Sequence, residues 1–437
     1  MESGSITKQY RHILIPTVIG MLSNSLYCLV DVYFISIGSG SIGLAALNIA
    51  MPIYTLYSAI GSLLGVGGAT LISIAQGSCD QRLKDRSFTL SMVLMFICGA
   101  FISLCGTVFV ERFAYLLGAS DELIVPTVLY TRPILITAIP FVMTYAISTL
   151  LRSDGNPKLA MAAVMVGNFS NIILDYIFVM VFHMGIAGAS IATAISPLIT
   201  VTIASLHFVS KRNTVHFVKD FYDLPTMKRM LSAGMGSGIM EISAGVVIVI
   251  FNAVILVVGK EQALAAYSII TNIAYVAKGA LVAFAQASQP LIASGYGAKK
   301  MDTVHQAWQI SLRYTLIFSI LLYLLFLLFP DQIAGIFASK DLSLIALAAN
   351  GICIYFSALV FMGINTVMMN YFQSIEEGRL STIIALVKGF VFVLAAMAFF
   401  VPWLGLRGVW LVVPAAEMGS SFVCYWMYKR KYSVEVQ

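Results

Sequence analysis

Apolar residues fall in twelve long stretches along the chain, near 12–36, 46–75, 88–110, 125–151, 158–183, 187–209, 230–258, 264–294, 306–329, 343–373, 380–401 and 407–428, with short polar or turn-forming segments between them. About 20 consecutive apolar residues carry a helix across the hydrocarbon of a bilayer. The pattern therefore predicts twelve membrane helices, the longer ones tilted, bent or projecting into water. A membrane β-barrel would show alternating segments of about ten residues instead.

The pattern also repeats. At an offset of about 220 residues, Gly43-Leu44-Ala45-Ala46 falls on Ala263-Leu264-Ala265-Ala266 and Leu71-Ile72 on Leu291-Ile292. Gly77 falls on Gly297, and Gly185-Ile186-Ala187-Gly188 on Gly405-Leu406-Arg407-Gly408. These matches predict an all-α polytopic membrane protein built as two pseudo-symmetric six-helix bundles. The expected boundaries are 1–210 for the first lobe, 211–228 for a polar cytoplasmic linker acting as the hinge, and 229–437 for the second lobe. In a membrane protein such a duplication points to a transporter with its substrate path between the copies.

Composition agrees. The chain is 59% hydrophobic and 11% charged, against about 45–50% and about 25% in soluble domains. No soluble domain is expected, and the first apolar segment lacks a small-residue cleavage site. The net charge of +6 is topological and no sign of nucleic-acid binding. Lys and Arg crowd one set of loops, such as Arg82-Leu83-Lys84-Asp85-Arg86 and Lys211-Arg212. The opposite set holds only Arg112, Lys260, Lys340 and Arg407. The positive-inside rule then puts both termini in the cytoplasm.

Catalytic signatures are missing. The six cysteines (Cys28, Cys79, Cys98, Cys105, Cys353, Cys424) have no metal or redox spacing and read as packing residues. Neither the histidines nor any glycine-rich segment forms a ligand pair, a phosphate loop or a nucleophile–base set. No enzyme activity and no cofactor beyond a coupling ion are expected.

Charges inside membrane helices cost roughly 2.5–3.5 kcal/mol and call for a use. Asn24, Tyr27 and Asp31 share a face of helix 1, and Asn171 and Asp175 stack on helix 5. By helical rise, Asp31, Asn171, Asp175 and Thr193 reach compatible depths in the outer half of the first bundle. Two carboxylates, an amide and a hydroxyl suit a hard monovalent cation such as Na+, or a proton shared between the acids. The offset of 220 turns these four into Phe251, Val391, Ala395 and Val413, so the polar cluster is a specialisation of the first copy.

The second copy carries Glu241, Lys278 and Lys388 in its helices. Glu241 reads as a substrate or second proton site, or as the partner of a buried lysine. Lys388 reads as a snorkelling side chain, and Arg132 as interfacial. Pro16 predicts a bend in helix 1. Gly61, Gly65, Gly67 and Gly68 predict close packing or a break in helix 2. The 21 Met and many aromatic residues suit lipid-facing and core positions, and equally the walls of a cavity for large hydrophobic cations.

Several segments resemble the multidrug and toxic compound extrusion (MATE) family: Leu29-Val30-Asp31-Val32-Tyr33-Phe34-Ile35, Gly65-Val66-Gly67-Gly68-Ala69-Thr70-Leu71-Ile72-Ser73, and Leu151-Arg152-Ser153-Asp154-Gly155-Asn156-Pro157. Asn171-Ile172-Ile173-Leu174-Asp175, Gly185-Ile186-Ala187-Gly188-Ala189 and Pro290-Leu291-Ile292 extend the resemblance over nearly all the chain. It implies two lobes forming a V, alternating access, and export of amphipathic organic cations from the cell membrane in exchange for H+ or Na+. In the small bacterial branch of the family the ion is held by residues matching Asp31, Asn171, Asp175 and Thr193, with Pro16 at the helix 1 bend. Asn24, Tyr27, Tyr145 and Glu241 are the further candidates for the substrate or a second proton. Tyr145 and Ser148 stand where some relatives have Asn on helix 4, Gln286 and Gln289 where some have an acid, and Asn365 is the nearest polar group on helix 10. The expected partners are organic cations and membrane lipid, not nucleic acid, with the monomer as the working unit. The competing reading is a lipid-linked oligosaccharide flippase of the same superfamily, which needs several Lys or Arg for pyrophosphate.

Overall fold

The computed structural model describes residues 3–209, 211, 213–337 and 341–435; Arg212 and Lys340, two of the loop cations, lie outside them. The regular structure of the described residues is helical. Contacts divide the chain into two compact units. One holds Arg11–Gly234 and Ala293–Met301, the other Met1–Tyr10, Met235–Ile292 and Asp302–Gln437. Each half of the sequence thus gives a short piece to the other unit, an exchange that the contiguous boundaries read from the sequence leave out.

The first unit is built from α1 (Ser3–Gly77), α2 (Gln81–Val108), α3 (Val110–Leu116), α4 (Ile124–Ile136), α5 (Ala138–Ser153), α6 (Pro157–Asp175) and α7 (Gly185–Val209). α8 (Leu224–Gly297) starts and ends in it and runs through the second unit between. The second unit is completed by α9 (Met301–Leu328), α10 (Pro330–Phe337), α11 (Leu342–Tyr355), α12 (Leu359–Ser374), α13 (Gly378–Leu386), α14 (Phe392–Leu404) and α15 (Leu406–Glu435). Nine stretches among the described residues are long and apolar enough to cross a membrane, and α4 with α5 forms a tenth, bent by 59°. Two of the nine, α1 and α8, are broken in the middle at Gly40 and Lys260 and cross twice, which makes twelve crossings.

The breaks follow from local chemistry. Pro140 has no N–H for the Ile136 carbonyl, which instead accepts from Ser103 Oγ at 3.1 Å, and the chain turns there between α4 and α5. Side-chain caps start α2 and α8: Asp80 Oδ1 accepts from Leu83 N at 2.9 Å and Asp223 Oδ2 from Thr226 N at 3.0 Å. Pro16 sits inside α1, yet the non-helical residue of that helix is Gly40, with φ 59° and ψ −145°.

The repeat is written in the backbone. Gly40, Cys79, Gly155 and Gly185 have positive φ, and so do Lys260, Lys299, Glu376 and Gly405 at the equivalent positions of the second copy. A reciprocal contact carries it into packing within the first unit. A Cβ on Gly77 would overlap the Ser294 carbonyl, and one on Gly297 would overlap the Ile74 carbonyl. Only glycine lets the two helix ends meet backbone to backbone.

The expected hinge is partly a strap. Residues 213–220 run over the first unit without regular structure, so their amides need outside acceptors. Thr214 N donates to Asp154 Oδ2 at 2.9 Å, His216 N to Asp85 Oδ1 at 2.8 Å and Val218 N to Thr89 Oγ1 at 3.1 Å. Every second amide is thus received by the first unit, while Val215 between them is buried and Phe217 meets Phe88 with ring centroids 5.1 Å apart. Arg82 and Arg86 hold Asp220 at the far end.

Asp154 anchors this strap. Lys84 Nζ lies 3.3 Å from its Oδ1 and His207 Nε2 2.6 Å from its Oδ2. Asn156 Nδ2 reaches His207 Nδ1 at 3.2 Å, which leaves Nε2–H for Asp154. Burial works to raise the Asp154 pKa, but the bonds from His207 and Thr214 and the charge of Lys84 overcome it and hold the carboxyl below its ordinary value.

Candidate functional site

Three helices bring the predicted acceptors together in the first unit. Asp31 comes from the first span of α1, Asn171 and Asp175 from the last turns of α6, and Thr193 from α7. Just past Asp175 the helix widens into a π-turn, Tyr176–Val181, a departure frequent at functional sites. All four side chains are buried, Asn171 and Asp175 completely.

Thr193 Oγ1 donates to Asp31 Oδ1 at 3.2 Å. The Asn171 amide is satisfied at both ends when Nδ2 donates to Asp175 Oδ2 at 2.9 Å and its oxygen accepts from Thr193 N at 3.2 Å. Turned over, its Nδ2 faces Thr193 Oγ1 at 3.4 Å. Asp31 and Asp175 stand within hydrogen-bonding reach of each other, while Asp175 Oδ1 meets no donor. Two carboxylate oxygens attract only when a proton or a cation lies between them. The described residues hold no group of three or more His, Cys, Asp or Glu side chains suited to a metal. A Na+ ion would find the Asp31, Asp175 and Thr193 oxygens, but the Asn171 oxygen only after the amide turned away from Thr193 N.

Tyrosines surround the acids. Tyr27, Tyr54 and Tyr130 lie within electrostatic reach of Asp31, and Tyr54 Oη is 3.0 Å from Tyr130 Oη. Tyr27 is half-buried, and Tyr145, 38% exposed, stands near Tyr27 and Tyr54. Tyr54 and Tyr130 escape a reading that searches for charge. Their signal is a polar tip at the level of the acids.

A family model described as MatE matches residues 16–177 and 238–398. The chain belongs to the MatE family. It is similar to the multidrug export protein MepA of Staphylococcus saprophyticus, 26% identical over 396 residues, spanning 90% of this chain and 87% of that one. The MepA of Staphylococcus haemolyticus is 27% identical over 397 residues, spanning 90% and 86%. A solved outward-facing multidrug resistance MATE family transporter of the MOP superfamily superposes with a TM-score of 0.93 at 25% identity, covering 99% of this chain and 97% of that one. The resemblance read from the segments thus extends to family and fold: a multi-pass, twelve-helix membrane transporter in two bundles.

In this MatE chain the remaining candidates fall elsewhere. Asn24 is half-buried on α1, and Glu241 is half-buried on α8 in the other unit. The repeat partner of Asp31, Phe251, is fully buried and stacks on Tyr267 at 5.3 Å, with Tyr267 on Trp410 at 6.2 Å. Aromatic packing fills the level at which the first MatE copy holds its acids.

Lys388 does not snorkel: its Nζ lies 3.3 Å from Glu417 Oε1, and the two side chains are 11% and 7% exposed. An ammonium this deep in a helical bundle gains more from a buried carboxylate than from reaching for a distant interface. Glu417 went unread as a site residue; its signal is an acid inside the last apolar stretch. Lys278, by contrast, is exposed.

Proposed function

We propose that this chain is a secondary active multidrug exporter that moves amphipathic organic cations across the cell membrane in exchange for protons. The observation that carries the reading is the Asp31–Asp175 pair, two buried acids within reach of each other with one oxygen lacking any donor. Such a pair holds a proton between its oxygens and repels itself without one. Family membership and the likeness to MepA support the export of drugs.

In the proposed cycle, proton loss leaves two carboxylates facing each other, and the two helices that carry them, α1 and α6, repack. Proton entry restores the bonded pair. Thr193 and Asn171 tie α7 to both acids, so the change at the carboxyls is passed to that helix. A cationic substrate and the proton then compete through charge as alternating access turns the protein from one side to the other. The loop charges favour the cytoplasmic side for both termini, and in this reading the monomer in lipid is the working unit.

Lys388 is tied to Glu417 and so is not offered to a pyrophosphate, which disfavours a flippase. The deciding experiment is uptake of an organic cation, ethidium, into proteoliposomes with H+ and Na+ gradients imposed separately. Exchange driven by H+ and lost in Asp31→Asn and Asp175→Asn supports the proposal. Exchange driven by Na+ alone assigns the site to the metal ion, and unaltered exchange in both variants removes the site from the coupling.

A further inference from the structure

The second unit contains a buried polar cluster that the proposed proton exchange leaves unused. Lys388 Nζ lies 3.3 Å from Glu417 Oε1 and 3.4 Å from Thr366 Oγ1. Asn365 Nδ2 donates to Glu417 Oε2 at 2.7 Å and to the Glu417 carbonyl at 2.8 Å, and Ser421 Oγ donates to Asn365 Oδ1 at 2.9 Å. Both carboxylate oxygens are therefore engaged, one by an amide and one by an ammonium. Among the described residues, Cys424 is a further titratable group beside the pair.

A buried ion pair is a poor way to hold helices together, since apolar residues of the same volume often do so as well or better. The backbone also departs from regularity here: Lys388 lies inside a π-turn, Val387–Val391, just as Asp175 adjoins one in the first unit. The composition matches as well. Each cluster contains a carboxylate, an asparagine and a threonine. The repeat offset carries Lys388 to Asn168 and Glu417 to Pro197, each within about a turn of Asn171 and Thr193. The difference lies in the second charge, an acid in the first cluster and a lysine in the second.

We propose that the Glu417–Asn365 cluster is a monovalent-cation site that the chain fills with its own Lys388 ammonium. A tethered cation cannot leave, so it neutralises Glu417 in every step and keeps the second bundle from exchanging an ion. Lys388 is then the residue that limits ion coupling to the first bundle. This consequence rests on the proposed ion exchange, whereas the identity of the site does not.

Infrared difference spectra of purified protein between acidic and alkaline buffer test the site without transport. In Lys388→Gln a carboxyl-protonation band is expected beyond those of Asp31 and Asp175, absent from wild type, from Lys388→Arg and from Lys388→Gln/Glu417→Gln, and NaCl is expected to suppress it. A Lys388→Gln spectrum equal to that of the double variant overturns the proposal. If Lys388→Gln yields no folded protein, the ion-to-substrate ratio of Lys388→Arg and of the neutral double variant decides. Ratios equal to wild type support the proposal, and a changed ratio in the double variant overturns it. Asp31→Asn reports separately on the first bundle, so failure of the proton-exchange reading is distinguishable from failure of this one.

Discussion

Lys260 repeats the backbone of Gly40: φ 57° and ψ −162° against φ 59° and ψ −145°. Both residues break a helix that would otherwise run through two membrane crossings. This corner of conformational space is nearly reserved for glycine, and a side chain there costs about 1–3 kcal/mol. The second copy keeps the turn without the residue that makes it easy.

Lys260→Gly is therefore expected to stabilise the protein by about 1 kcal/mol, the relief of strain being partly offset by the greater freedom of an unfolded glycine. Thermal unfolding in detergent checks it. A lowered midpoint would mean that the lysine side chain holds the turn through contacts of its own.

The meeting of Gly77 and Gly297 leaves no room for a methyl group. Gly297→Ala pushes its Cβ into the Ile74 carbonyl, and such overpacking costs about 1–3 kcal/mol. The loss is to be read in thermal unfolding, with Gly335→Ala as the control because a Cβ there meets only Ile345 at ordinary contact distance.

At the ion site, Thr193→Ala removes the hydroxyl that donates to Asp31. A hydrogen bond to a charged group contributes about 1.5–3 kcal/mol, so proton-driven exchange is expected to slow about tenfold or more. Thr193→Ser should restore most of the rate. Equal rates in the alanine and serine variants would show that the methyl group matters and the hydroxyl does not.

Asp154 makes the strap sensitive to acid. Its folded pKa lies below the ordinary value, so its stabilisation is complete above about pH 4 and is lost as the pH falls through the lower folded value. At neutral pH Asp154→Asn removes the same support. Amide exchange at Thr214 should then quicken about tenfold or more, the equivalent of about 1.4 kcal/mol or above from the lost charged hydrogen bonds. Unchanged exchange at Thr214 would assign the strap to Asp85 and Thr89 alone.

Much of this was legible in the chain, because a membrane makes local rules strict. Apolar runs must become helices, so the crossings were written in plain view, and the 220-residue offset set Gly77 opposite Gly297 and Gly185 opposite Gly405. Spacing by three and four put Asn24, Tyr27 and Asp31 on one face, and the structure brings Asn171, Asp175 and Thr193 to Asp31. The pairing of Lys388 with Glu417 was not legible, because the register between the π-turn Val387–Val391 and α15 is set by tertiary packing and no local spacing encodes it. Nor was the strap, whose amides find acceptors on residues some 60 to 130 positions away.

The exchange of short pieces between units sets a timetable for biogenesis. The ribosome releases all six crossings of the first bundle long before it reaches Ser294 and Gly297, which finish that bundle against Ile74 and Gly77. The early bundle must wait in the bilayer with its helix ends bare while α8 is made. A nascent chain stopped before residue 293 is thus inserted but unfinished, and quality control has that interval in which to recognise it.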